Sequence, residues 1–414
     1  MSPIVIVGLV ACNLGLIFVL MAMPLGMRTL RRSRLIEADR DKLWQALWPL
    51  GREATWSGEF LSVTGFRGGA SVTLSREGRD GQPIRRKVAF DGVDPGGRFS
   101  MRIIDDSSLD PSFWRHYRET TELACEGEAV RVSVSRTDRY RGIAVMVFRY
   151  FAMRRELGKL KAWAETGRFR KGGWFEHPLG QAGCAVLSVL VFWPFFGLTA
   201  GGLVLAATLT FVVALHELGH LAAFRLMGHR RVRMIFIPLL GGVAIGGRPY
   251  DSRFEVAFVA LMGAGFSALL LPVLIAGSAL AEAGGHPLAA MLLAVCAGCS
   301  ALFNIANLVP VWKFDGGQVL RQICPGPVML GVASFGLLSA FLALGWHVGL
   351  PPRALLAAGA TFACLSLLTM GAGVRPRHEL KPIGAFDRLA IGAALLAVFV
   401  IHGCGVLWVS AVLP

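Results

Sequence analysis

The stretch FVVALHELGHLAAFRLMG, Phe211 to Gly228, places three ionisable side chains in a run that is otherwise almost entirely apolar. His216, Glu217 and His220 follow the pattern H-E-x-x-H. Residues four apart lie on one face of an α-helix, about 6 Å apart along its axis, so the two imidazoles can bind one metal ion. Glu217 lies beside them, where it can take a proton from a metal-bound water, whose pKa zinc lowers to about 7. The stretch therefore predicts a helix that carries a zinc site.

The same pattern also occurs by chance on solvated helix faces of soluble proteins, so its surroundings decide between the two interpretations. An ionisable residue at the centre of a bilayer costs roughly 3 kcal/mol on insertion scales, and such residues are rare and usually functional. Three of them within five residues of one apolar segment favour a metal site over a packing role.

A four-coordinate catalytic zinc needs a third protein ligand and one open position. The candidate is Asp315 in NIANLVPVWKFDGGQ, residues 304–318, where no other Asp or Glu occurs between Glu282 and Glu379. Two glycines follow Asp315 and allow the backbone to bend or approach closely. Asp-Gly also marks turns, so the alternative is a loop residue where the chain leaves the membrane.

Together, HELGH and NLVPVWKFDG resemble the site-2 protease family of intramembrane zinc metallopeptidases, over roughly residues 181–321. The resemblance implies one zinc ion bound by His216, His220 and Asp315, with Glu217 as general base and Asn307 helping to hold substrate. It also implies regulated intramembrane proteolysis, in which a peptide bond in or near a transmembrane helix of a protein substrate is hydrolysed. The alternative is a membrane-anchored lipid or small-molecule sensor with a non-catalytic zinc site. Glu217 favours the enzyme, because a structural zinc site does not need an adjacent carboxylate.

The composition indicates several membrane spans, since 54% of the 414 residues are hydrophobic and the mean hydropathy is +0.56. Eight scattered cysteines, most of them in apolar runs, do not indicate a disulfide framework. We predict an α-helical multi-pass membrane protein of about eight spans, with a soluble α+β helix-grip domain inserted after the first span. The expected domains are an anchor at 1–27, a soluble domain at 28–178 and a membrane metalloprotease domain at 179–414. The spans are predicted at 3–23 and near 181–198, 201–226, 254–281, 288–310, 327–346, 354–372 and 388–411.

The placement of positive charge predicts the orientation of these spans. No charge precedes the first span and four arginines follow it at once, which favours a retained anchor whose C-terminal end is cytoplasmic. If the later spans cross the membrane in alternating directions from that cytoplasmic side, Arg353 lies on the outer side. The other Lys and Arg residues that flank the spans then lie on the cytoplasmic side. We therefore expect a multi-pass protein of a bacterial inner membrane, with the soluble domain and the mouth of the site in the cytoplasm.

Residues 28–178 have a different character, since they hold 29 of the 42 Lys and Arg and 20 of the 27 Asp and Glu, a net charge near +9. A short helix at 38–50, five strand-like segments between 70 and 135, and a long helix at 142–166 resemble the START-like helix-grip superfamily. The resemblance implies a sheet around a long helix, with either an apolar cavity for a hydrophobic ligand or a filled core. The basic surface is expected to face anionic membrane lipids, and no motif indicates nucleic acid as a partner.

The chain after the HELGH helix contains a glycine-rich segment that we expect to bend. The segment MIFIPLLGGVAIGG, residues 234–247, is too short to span a bilayer, and its glycines indicate a bent or hairpin segment. Our hypothesis is that its edge pairs with an unwound substrate segment, and the alternative is a simple structural loop.

His229, beside Arg230 and Arg231, is predicted to be a solvated residue on the cytoplasmic side.

Overall fold

The computed structural model describes residues 15, 18–20, 23–168, 177–237, 241–311, 314–369 and 377–413. The chain divides into two compact units, Met1–Lys171 with Gly371–Glu379 and Gly172–Met370 with Leu380–Pro414. Most of the predicted first span, 3–23, lies outside the described residues.

The first unit is built on a seven-stranded antiparallel sheet with the strand order β1-β7-β6-β5-β4-β3-β2. Alternation of apolar and polar residues explains the strands: in β3, Ala70, Val72 and Leu74 are buried while their neighbours are more exposed. The strands are β1 Pro24–Ile36, β2 Phe60–Phe66, β3 Gly69–Glu77, β4 Pro83–Asp94, β5 Arg98–Asp106, β6 Arg118–Glu126 and β7 Ala129–Arg141.

The sheet is accompanied by the helices α1 Arg40–Leu47, α2 Pro111–Trp114 and α3 Ile143–Thr166. Asp39 caps α1 by accepting a hydrogen bond from the backbone N–H of Lys42. The long helix α3 buries Met153, Leu157 and Leu160 in one core with residues of α1 and the sheet. The antiparallel sheet and the closing helix expected from the helix-grip resemblance are therefore present.

Two strands of this unit were not predicted from the sequence, namely β1 and β2. The arginines of β1 suggested the charged flank of a membrane anchor, but the strand pairs with β7 along its length, from Pro24 opposite Arg141 to Ile36 opposite Val130. An edge strand tolerates a row of charged side chains because one of its sides faces solvent. The sheet thus begins at Pro24, four residues before the expected start of the soluble domain.

The second unit is mainly helical. Its long helices are α4 Pro178–Phe192, α5 Ala200–Leu226, α6 Arg253–Ala283, α7 Pro287–Asn307, α9 Pro327–His347, α10 Pro352–Thr369 and α11 Ala385–Val412, with the shorter α8 Asp315–Ile323 between α7 and α9. Among the described residues, six helices are long and apolar enough to cross a membrane: α4 with the 3-10 turn that follows it, α5, α6, α7, α9 and α11. The predicted span near 354–372 corresponds to α10, and its last three residues lie outside the described part.

Between α5 and α6 the chain forms an antiparallel pair of short strands, β8 Arg233–Ile237 and β9 Gly241–Ile245. This pair occupies the segment for which the glycines indicated a bend or hairpin. Strand β9 packs against α5, and strand β8 packs against α4. The pair therefore lies next to the helix that carries the HELGH motif.

Candidate metal centre

Helix α5 carries all three ionisable residues of the HELGH motif and buries them. Thr199 caps its N-terminus by accepting a hydrogen bond from the backbone N–H of Gly202, and an apolar run of Leu, Ala and Val follows. His216 and Glu217 are both buried, and His220 is partly buried. The helix thus holds two imidazoles and one carboxylate away from solvent.

Asp315, at the first position of α8, meets the two imidazoles. The Nε2 atoms of His216 and His220 are 3.1 Å apart, and the Asp315 Oδ2 atom lies 3.1 Å from the first and 3.5 Å from the second. A tetrahedral zinc with bonds of 2.0–2.1 Å has ligand atoms roughly 3.3 Å apart. The three atoms therefore form a triangle of the size that one face of a zinc tetrahedron requires.

The far nitrogen of each imidazole donates a hydrogen bond. The Nδ1 atom of His216 lies 2.8 Å from the Asn304 side-chain oxygen, and that of His220 lies 2.7 Å from the Val259 carbonyl oxygen. Both partners are acceptors, so the proton of each neutral imidazole is on Nδ1 and the lone pair on Nε2. Second hydrogen bonds of this kind fix the tautomer and orientation of metal-binding histidines.

Asn304 was missed in the sequence analysis, which named Asn307 for another role, that of holding substrate. The Asn304 amide nitrogen donates to the Ser300 carbonyl at 2.8 Å, and this bond directs its oxygen towards His216. The Asn307 amide donates to the Phe303 carbonyl of its own helix at 3.0 Å. Both asparagines lie near the end of an apolar helix, one turn apart, and nothing in the sequence indicated that Asn304 would meet His216.

Glu217 is within reach of the same site. Its carboxylate and the two imidazoles offer ligand atoms that all lie within 4.8 Å of one another. Its Oε2 atom accepts a hydrogen bond from the Ala244 N–H of β9 at 2.8 Å, and a Cβ at Gly242 would lie 2.3 Å from Glu217 Cγ. The strand therefore approaches Glu217 through a position where a side chain does not fit.

The structure favours Asp315 over Glu217 as the third ligand. The Oδ2 atom of Asp315 is buried, and no residue in the described part of the chain donates a hydrogen bond to it, whereas Glu217 already accepts one from β9. Two imidazole nitrogens and one carboxylate oxygen thus face one another at 3.1–3.5 Å. Such a group is unfavourable unless a cation lies among its members, so the residues present fit a zinc ion.

A close approach of α6 completes the surroundings of the imidazoles. A Cβ at Gly263 would lie 2.6 Å from His216 Cε1 and from His220 Nε2. Gly263 belongs to the segment MGAGFS, residues 262–267 of α6. Of its two glycines, Gly263 is the one that leaves room for the two rings.

His229 is buried, so the prediction of a solvated residue was wrong. Its Nε2 atom lies 2.5 Å from Glu255 Oε1, and the Arg248 guanidinium contacts the same carboxylate at 2.9 Å. The Glu255 carboxylate also accepts the Asp251 N–H at 2.7 Å. Helix α5 ends just before Gly228, whose φ of +82° turns His229 back under the helix towards these partners.

Comparisons with known proteins concern the first unit. No family model and no curated protein matches the chain. Solved structures match about its N-terminal third. They include the Aha1 dimer from Colwellia psychrerythraea (14% identity, 34% of this chain and 98% of that chain, TM-score 0.28), DR_A0006 from Deinococcus radiodurans (16%, 34% and 100%, TM-score 0.25) and Ara h 8.0201 (19%, 33% and 95%, TM-score 0.26). Similarities of this size do not assign an activity to the chain.

Proposed function

We propose that this chain is an intramembrane zinc metalloprotease of the site-2 protease type, which hydrolyses a peptide bond in or near a transmembrane helix of another protein. The observation that supports it is the buried triangle of His216 Nε2, His220 Nε2 and Asp315 Oδ2, with Glu217 beside it. The apolar helices around the site give the proposal its membrane setting.

The three atoms of the triangle would hold one zinc ion and leave one coordination position open. When bound, zinc would polarise the scissile carbonyl and acidify a water molecule. Glu217 would accept a proton from the attacking water as the water oxygen adds to the carbonyl carbon. It then delivers the proton to the amine nitrogen as the C–N bond breaks. Asn304 and the Val259 carbonyl keep the two imidazoles oriented throughout.

The substrate enters as a locally unwound segment, because the peptide bonds of an intact helix are shielded by their own hydrogen bonds. Strand β9 supplies the nearest extended backbone, and its Ala244 N–H already bonds to Glu217. A substrate strand added along β9 would lie beside the catalytic carboxylate. Asn307, near the C-terminal end of α7, remains a candidate for holding this segment.

The test compares wild type with Glu217→Gln in the native host. Glu282→Gln serves as the matched control, because Glu282 is an exposed carboxylate near the C-terminal end of α6. We expect fragments that end within transmembrane segments in wild type and control, and accumulation of their precursors in Glu217→Gln. Zinc content is measured on all three purified proteins and is expected to be one ion per chain.

Identical membrane proteomes in wild type and Glu217→Gln, with zinc bound in both, would contradict the protease. That result would favour a membrane-anchored sensor of a lipid or small molecule, with the zinc in a structural role. Absence of zinc from the wild-type protein would contradict the metal site itself.

A further inference from the structure

The first half of α3 has an apolar face that points away from the core. Val147, Phe148 and Phe151 are 42%, 73% and 53% exposed, and they lie on the side of the helix opposite the buried Met153 and Leu157. Exposed aromatic side chains at this spacing form a continuous apolar surface on one side of a helix. We call Val147, Phe148 and Phe151 the α3 patch.

The outward side of α3 changes character halfway along the helix. After Phe151 it carries charged or polar residues, beginning with Arg154 and Arg155 and continuing with Lys159 and Glu165. The second half of the helix thus has the surface of a helix in water, and the first half does not. One straight helix with two kinds of outward surface indicates two different surroundings.

The patch lies beside the end of the predicted anchor. The backbone N–H of Gly142, directly before α3, donates to the Met23 carbonyl at 2.9 Å, and Pro24 pairs with Arg141. Met23 is the last residue of the apolar run 3–23, which is long enough to cross a bilayer. The first nine residues of α3 rise about 13 Å from this point, so the patch begins within a few residues of the anchor's exit.

Basic side chains surround the same end of the sheet. Arg28 on β1 and Arg139 and Arg141 on β7 are exposed, and Arg154 follows the patch by one helical turn. Asp138 on β7 is a carboxylate at this end, and it pairs with Arg149 at 4.0 Å. An apolar surface with arginines at its margin suits the interface of a bilayer that contains anionic lipids.

We call the first unit, with its seven-stranded sheet, the sheet domain. We propose that the α3 patch inserts into the head-group region of an anionic bilayer and holds the sheet domain against the membrane. The aromatic rings enter the boundary between head groups and acyl chains, and the arginines contact lipid phosphates. This surface is separate from the proposed metal centre. It would serve the sheet domain whether or not the chain is a protease.

The test uses the full-length protein in nanodiscs of equal parts phosphatidylcholine and phosphatidylglycerol. Phe148 is replaced by the photo-crosslinking residue p-benzoylphenylalanine, which preserves an aromatic side chain. The matched control is the same replacement at Phe66, which is 43% exposed on β2 at the opposite edge of the sheet. After illumination, mass spectrometry measures lipid adducts on the peptide that carries each position.

We expect lipid adducts at position 148 at least about fivefold above those at position 66, because only the former lies at head-group depth. The yield at 148 is expected to fall in nanodiscs of phosphatidylcholine alone. Equal lipid labelling at both positions, or adducts at 148 with another protein chain in place of lipid, would overturn the proposal. An unchanged yield without phosphatidylglycerol would overturn its anionic part.

Discussion

Asn304 bonds to His216 through the imidazole nitrogen that points away from the proposed zinc. Replacing Asn304 by Ala removes this acceptor, so the His216 ring loses its fixed tautomer and orientation. We expect zinc affinity to fall by about 10–100-fold, as for other partners of metal-binding histidines. The measurement is competition with a chelator of known affinity.

The matched control is Asn307→Ala, since the Asn307 amide bonds only within its own helix as far as the described residues show. We expect this variant to keep the zinc affinity of wild type, whatever its effect on substrate. Equal losses in the two variants would mean that helix α7, not the Asn304 bond to His216, determines the affinity.

Gly263 leaves the space that the His216 and His220 rings occupy, so a larger residue there should disturb the zinc site. A methyl group at this position would lie 2.6 Å from both rings, which cannot both move without leaving the zinc site. Gly263→Ala is therefore expected to abolish zinc binding, measured as metal content of the purified protein. Gly265→Ala is the control, because its nearest neighbours, Met262 Sδ and Val398 Cγ2, would lie at ordinary contact distances of 3.6 and 3.9 Å. Full zinc content in Gly263→Ala would show that the rings lie elsewhere.

The three proposed zinc ligands could be predicted from the sequence, whereas the residues that position the imidazole rings could not. His216, His220 and Asp315 stand out as ionisable groups in apolar surroundings, and the structure places their ligand atoms within 3.5 Å of one another. Asn304 and Gly263 become apparent only when three helices are packed together. Their spacing along the chain carries no sign of which helix face meets the histidines.

At the scale of elements, a buried ionic cluster joins the end of α5, the chain after β9 and the start of α6. His229 and Arg248 both contact Glu255, whose side chain is 2% exposed. Glu255→Gln removes the carboxylate charge that both partners contact, and breaking a buried pair in this way costs about 3 kcal/mol. We expect a clear fall in the thermal unfolding midpoint in detergent, with none for Glu282→Gln. Equal midpoints would show that the cluster contributes nothing to stability.

A second buried cluster gives the sheet domain a pH dependence. Burial tends to raise the pKa of Glu119, but Arg136 and the Tyr117 hydroxyl, which donate to its carboxylate at 2.7 and 2.5 Å, outweigh this and lower the pKa below its ordinary value. A carboxyl whose pKa is lower in the folded state stabilises the fold above its unfolded pKa of about 4.3. That stabilisation is lost as the pH falls below this value and through the folded pKa.

We therefore expect the sheet domain to lose stability between pH 5 and lower values, about the range in which an unfolded Glu gains its proton. The measurement is thermal unfolding of the full-length protein as a function of pH. In Glu119→Gln the domain is less stable at pH 7, because Arg136 keeps the Glu156 carboxylate but loses that of Glu119, and its decline in acid is shallower. An acid decline of the same slope in wild type and variant would assign it to other carboxyl groups.

The long elements followed from the sequence because their patterns are long, whereas β1 and β2 did not. Helix α3 repeats apolar residues every three or four positions over 24 residues, and the strands β3 to β7 alternate. Strand β1 carries Arg28, Arg31, Arg32 and Arg34, which conceal its alternation and equally suit the cytoplasmic flank of an anchor. Only its partner strand, more than 100 residues later, distinguishes the two interpretations.

At the scale of the whole molecule, the chain enters the first unit twice. Its N-terminal part forms the sheet, and the segment between α10 and α11 returns to the same unit. There the Arg377 N–H donates to the Ser108 carbonyl at 3.1 Å, and its guanidinium contacts Asp105 and the Asp106 carbonyl. These contacts form a second connection within the unit, between the returning segment and the end of β5.

The role of the sheet domain in the proposed protease can be tested by deleting it. Deleting residues 24–168 removes the whole sheet with β1 and leaves the triangle of His216, His220 and Asp315 in place. We expect zinc content to persist, and the set of cleaved membrane proteins to change if the domain selects or admits substrate. The measurement is the membrane proteome described above. The same fragments as in wild type would contradict a selecting role and leave the domain a purely structural one.

Arg377→Ala in the full-length chain serves where the deletion variant fails to fold. It removes the side-chain contacts to Asp105 and Asp106 while the sheet, the anchor and the metal residues stay intact. If the returning segment transmits the state of the sheet domain, this variant shifts substrate selection in the same direction as the deletion, with one zinc ion still bound per chain. If it cleaves as wild type does, selection depends on the surface of the sheet domain, and the second connection plays no part in it.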